Sequence, residues 1–79
     1  MDSKKRLEKE FRQIDDVLDK IKVVKNNKLA EEFLDTAKRY RADAEYFANK
    51  KDLMGAFGAL NYAFGWMDAG LKIGIFELK

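Results

Sequence analysis

The chain has 79 residues, with 16 Lys+Arg against 14 Asp+Glu for a net charge of +2, and it contains no Pro, Cys or His. These counts describe one small domain and exclude disulfides, thiolate nucleophiles, Cys or His metal ligation and histidine base chemistry. The balanced charge lacks the basic excess of a dedicated nucleic-acid binder, and no stretch reads as a signal peptide or membrane span, so a soluble cytoplasmic protein without membrane association is expected.

From about Lys4 to Lys25, Leu7, Phe11, Ile14, Leu18 and Ile21 recur at alternating spacings of four and three, which predicts a first helix with a narrow apolar stripe. KNNK at residues 25–28 interrupts it, because asparagine tolerates the left-handed conformation that stops one helix and also caps the next. A second helix is predicted over about 28–49, with Leu29, Phe33, Ala37, Tyr40, Ala44 and Phe47 on one face. Its first turns hold Glu31, Glu32 and Asp35, where the helix dipole favours negative charge. NKKD at 49–52 forms the next break, and Asp52 is placed to cap a third helix over about 52–76. Strand alternation is nowhere seen. Three helices of roughly 20 to 25 residues joined by short turns predict an all-α, antiparallel up-down-up three-helix bundle filling a single domain.

Turning the third helix by about 100° per residue places Ala56, Ala63, Gly70 and Gly74 in a narrow seam. Leu53, Leu60, Met67 and Leu71 flank it on one side, and Ala59, Tyr62, Trp66 and Ile73 on the other. Glycine weakens a helix interior, so this seam is expected to face a close neighbour. A thin polar strip of Asn61, Gly65, Asp68 and Lys72 lies opposite. The apolar arc is wider than a bundle helix normally buries, which makes Phe57, Phe64, Leu71 and Ile75 a candidate interaction surface for a homo-oligomer or a heterologous protein partner.

Candidate chemistry is sparse. Asp43, Asn61, Tyr62 and Asp68 are the polar residues available for recognition or helix register, with the two aspartates expected to bond tyrosine hydroxyls or pair with Arg39 and Arg41. Asp43 and Asp68 could bind a hard cation or share a proton, but a metal site normally needs more oxygen ligands than two aspartates and no D-x-D loop or Glu-x-x-His pair is present, so an enzyme or metal site is the least favoured reading and no enzyme activity, metal or cofactor is expected. A phosphate-gripping glycine loop needs a strand-to-helix turn, which a chain without strands lacks. The topology brings Lys4, Lys5 and Arg6 to the same end as Lys50 and Lys51, a candidate anion pole for nucleic acid or a phosphate ligand. Flexible lysines without interleaved aromatics read more simply as a solvated charge run, and nucleic acid is the less favoured alternative.

Two stretches, YRADAEYFANKKD at Tyr40–Asp52 and AFGALNYAFGWMDAG at Ala56–Gly70, resemble the archaeal domain-of-unknown-function family 357. Tyr40, Asp43, Ala44 and Phe47 carry the likeness in the second helix, and Tyr62, Ala63, Gly65, Asp68 and Ala69 in the third. Lys51 stands where the family's turn usually has glycine, which puts the geometry of that turn in question. The resemblance implies a small up-and-down three-helix bundle and implies no activity. A protein-interaction or assembly module working through the third helix is therefore the functional expectation.

Overall fold

The computed structural model describes residues 2–24 and 27–79. The Asp2 carboxylate accepts from the Lys4 N–H at 3.0 Å and starts α1, Ser3–Lys20. The chain then runs extended into a short strand, β1, Ile21–Val23. Lys25 and Asn26 of the expected KNNK break lie outside the described residues. Asn27 behaves as its side chain suggests, accepting from the Ala30 N–H at 3.1 Å to cap α2, Lys28–Asn49. Asp52 caps α3, Leu53–Lys72, through the Gly55 N–H at 2.9 Å, and a second short strand, β2, Phe76–Leu78, follows.

The up-down-up, all-α bundle is the architecture, about 40 Å long and less than half as wide. α3 is its central element, packed most extensively on α2 and also along α1. Buried Ala30, Ala37 and Ala44 recur every seventh residue along α2, and Ala56, Ala63 and Gly70 do so along α3. Small side chains on both helices let the two backbones approach closely. Leu7 and Ile14 of α1 join Leu60 and Met67 of α3 in the same core. Leu29, expected on the buried face of α2, is 47% exposed, because the buried stripe runs through Ala30 instead.

A fork of hydrogen bonds ties α1 to α2. Arg41 donates to Asp15 from Nε at 3.0 Å and from Nη2 at 3.1 Å, bonds Glu45 on its own helix, and lies over the Phe11 ring at 5.1 Å. The bond to Asp15 raises the guanidinium pKa above its ordinary value against the opposing effect of partial burial, so this cation stays charged wherever the protein is folded.

Two helix ends differ from the sequence expectation. The first helix stops at Lys20 rather than near residue 25, and the third at Lys72 rather than near 76. The segments so released pair as an antiparallel ribbon, with Ile21 opposite Leu78, Lys22 opposite Glu77 and Val23 opposite Phe76. Two flanking bonds extend it, Val24 N–H to the Ile75 carbonyl at 3.0 Å and Lys79 N–H to the Lys20 carbonyl at 2.8 Å. Three-residue strands are too short for alternation to register, and their β-branched and aromatic residues mimic a continuing helix face.

Gly74 has a terminating role rather than a place in the seam. Its φ is +81°, and its N–H donates to the Leu71 carbonyl at 3.3 Å while the Ile75 N–H donates to Gly70 at 3.0 Å. That is the left-handed cap in which glycine is favoured, and it turns the chain back towards α1. The same motif closes α2, where the Lys51 N–H reaches the Ala48 carbonyl at 3.0 Å and the Asp52 N–H reaches Phe47 at 2.9 Å. Here Lys51 itself holds φ +62°, so the turn keeps a glycine-type geometry without glycine. A left-handed non-glycine residue costs about 1 to 2 kcal/mol, partly offset in a glycine variant by the freer unfolded chain. Lys51→Gly is therefore expected to stabilise the protein by about 0.5 to 1 kcal/mol and raise Tm by several degrees in a thermal melt.

Candidate functional site

No charged residue occurs between Asp52 and Asp68, so α3 is apolar or uncharged around nearly its whole circumference. Its inner side, Ala56, Ala59, Leu60, Ala63, Met67 and Gly70, is buried. The half turned away from the core carries Met54, Gly58, Asn61, Tyr62 and Gly65. Met54 is 86% and Tyr62 64% exposed, a large uncovered area for two apolar-bodied side chains on one helix. A Cβ at Gly58 or Gly65 would meet nothing within 4 Å among the described residues, so no described neighbour requires glycine at either place.

Aromatic side chains continue this face onto α2. Tyr62 stacks on Tyr40 with ring centres 5.2 Å apart, and Trp66 meets the Phe33 ring edge-to-face at 4.9 Å. A shallow groove runs between Asn61, Tyr62, Gly65, Trp66 and Ala69. A second groove, lined by Thr36, Arg39, Tyr40 and Asp43, shares the Tyr40 side of that stack. Together they offer flat aromatic surface, one amide, two phenols, one aliphatic hydroxyl, one carboxylate and one guanidinium for non-covalent contacts.

The candidate surface residues fall elsewhere than expected. Phe57, Phe64 and Leu71 are partly buried against the core, and the Arg6 guanidinium lies 5.8 Å from the Phe57 ring centre. Ile75 is only 9% exposed, because the helix has already ended and the chain turns it inward before β2. The uncovered part of α3 lies instead along Met54, Gly58 and Gly65. Helical phase combined with the absence of charge over residues 53–67 was the signal for it.

Asn61, Tyr62, Asp68 and Asp43 all reach solvent. Their expected ion partners are engaged otherwise: Arg39 pairs with Asp35 at 3.0 Å, and Arg41 with Asp15 and Glu45. Asp68 approaches only Lys72, at 3.9 Å along its own helix. The two aspartates thus lie on separate helices without a shared partner, and among the described residues no three Asp, Glu, His or Cys side chains cluster in a way that would hold a metal.

At the pole where α1 and α3 begin, Lys4, Lys5, Arg6, Lys50 and Lys51 are all exposed. Arg6 leans towards Glu10 at 3.8 Å, and the Lys50 ammonium lies 5.7 Å from the Tyr46 ring centre. One N–H at each of these helix starts is already bonded by a carboxylate, that of Lys4 by Asp2 and that of Gly55 by Asp52. Each helix start therefore carries its own negative charge, which an incoming phosphate would have to displace. Beside this pole, Ser3, Arg6, Glu10, Phe57 and Asn61 line a small crevice between α1 and α3.

None of the helices among the described residues is long and apolar enough to cross a membrane. A search of curated proteins finds no match. Among solved structures, the crystal structure of protein AF1782 from Archaeoglobus fulgidus, itself assigned to DUF357, is similar with a TM-score of 0.82 and 25% identity, covering 98% of this chain and 93% of that one. The family model described as "Protein of unknown function (DUF357)" matches residues 5–76, from the first turn of α1 to the start of β2, and the chain belongs to that family.

Proposed function

We propose that this protein is a non-enzymatic interaction or assembly module that engages a protein partner through the outer face of α3 and the aromatic ledge beside it. The observation that carries the reading is the uncharged run from Leu53 to Met67 on a helix whose outer half, with Met54 and Tyr62, stands in solvent. A helix apolar all round is normally covered on all sides, and here α1 and α2 cover only part of it. The alternative at the basic pole, a nucleic acid or phosphate ligand, is weakened by the Asp2 and Asp52 carboxylates that cap both helix starts.

Site-specific photo-cross-linking in the cell tests the reading. With a photoreactive residue at Asn61, a defined protein adduct is expected, whereas the same residue at Glu8, exposed on α1, yields none. Equal adducts at the two positions, or none at either, would remove α3 as the interaction face.

A further inference from the structure

Resting on the reading of α3 as an interaction face, we propose that Met54 is an oxidation site through which a peroxide makes that face polar and weakens its hold on the partner. Accessibility singles the residue out. The chain has three methionines and no cysteine, so thioethers are its only sulfur groups. Met1 lies outside the described residues. The other two stand on one helix in opposite situations. Met54, the second residue of α3, is 86% exposed, more than any other large apolar side chain among the described residues, whereas Met67 is 1% exposed in the core. An oxidant in water therefore reaches the Met54 sulfur in the folded protein and meets Met67 only when the core opens.

The reaction needs nothing from the protein beyond that access. A lone pair of the Met54 sulfur attacks one oxygen of hydrogen peroxide, the O–O bond breaks, and the other oxygen leaves as water with the proton of the first. Sulfur is oxidised by two electrons to the sulfoxide, and the peroxide is reduced by the same two. The fold is indifferent to the product, because Met54 is neither in the buried core nor packed against it.

Position gives the product its effect. Met54 belongs to the run without charged side chains from Leu53 to Met67 and lies two helical turns from Asn61, about 10 Å at 1.5 Å per residue. A thioether is flexible and polarizable, so it shapes itself to a partner and leaves water readily. A sulfoxide oxygen is a strong acceptor, which a partner fitted to the thioether covers without supplying a donor. An acceptor buried unsatisfied in this way weakens binding about tenfold or more.

Hydrogen peroxide added to the full chain, with peptide mass mapping over time, tests the site. Met54 should gain one oxygen more than about a hundredfold faster than Met67, with the thermal melt unchanged. Equal rates at the two residues would overturn the proposal. The consequence is read with the Asn61 photoprobe protein, peroxide-treated or untreated, returned to cell extract. Oxidation should lower the protein adduct about tenfold. Met54→Leu, which stays apolar and retains Met1 and Met67, should keep its adduct before and after treatment. A fully oxidised parent that keeps its adduct, or a Met54→Leu protein that loses it on treatment as the parent does, would overturn the oxidation switch and leave α3 as an interaction face. Absence of an adduct from the untreated parent would overturn the interaction face and the switch with it.

Discussion

Gly70→Ala is expected to destabilise this protein by about 1 to 3 kcal/mol, the usual range for overpacking a filled site. Helix propensity alone points the other way, since alanine is favoured over glycine by about 1 kcal/mol in a helix interior. Geometry decides the sign. A Cβ at Gly70 would lie 2.2 Å from Cδ2 and 2.4 Å from Cε2 of Phe76, far inside van der Waals contact. The ring has little room to yield, because Phe76 is 2% exposed and its backbone is held opposite Val23 in the ribbon. Gly70→Leu should lie at or beyond the upper end of that range, a large fraction of the total stability of a domain this size. Chemical denaturation of the two variants beside the parent measures this, and a Gly70→Ala protein as stable as the parent would mean that Phe76 does not sit on α3 as described.

Phe76→Ala is expected to be the most damaging single truncation, at about 3 to 5 kcal/mol. Phe76 fills the space between the end of α3 and the ribbon that joins the two chain ends, so its loss removes buried apolar area and loosens the pairing of β2 with β1. Hydrogen exchange should then show lost protection at the Val24 and Lys79 amides before the α2–α3 pair opens, since those two amides bond across the ribbon. The two substitutions are coupled. In a double-mutant cycle Phe76→Ala should remove most of the penalty of Gly70→Ala, because the added methyl group would enter the space the ring has vacated. Additive effects would separate the two residues physically.

Much of this molecule is local in origin and was therefore legible in the chain. The spacing of Leu7, Phe11, Ile14 and Leu18 depends only on the 3.6-residue period of a helix, and α1 follows it. The Asn27 and Asp52 caps each act over three residues, and both form. The resemblance to the family implied a glycine position at Lys51, and the φ of +62° there is the conformation that such a position takes. Three helices and two short turns leave few arrangements, of which the up-down-up bundle is the simplest.

What only the tertiary structure decided concerns contacts between residues far apart in the chain. The strands β1 and β2 are three residues each, and neither has any reason to leave the helix until the other, more than fifty residues away, supplies its hydrogen bonds. That pairing turned Gly74 from a seam residue into a helix terminator and carried Ile75 from a surface into the core. It also gave Gly70 its neighbour, Phe76 of β2 rather than a residue of another helix. The outward side of α3 was partly legible, since the polar strip of Asn61, Gly65, Asp68 and Lys72 placed opposite the seam is exposed. How far the flanking apolar residues are covered was not, because a helix with apolar residues around most of its circumference does not mark the edge of its buried face, and the placement of α1 and α2 folded Phe57, Phe64 and Leu71 against the core while Met54 stayed in solvent.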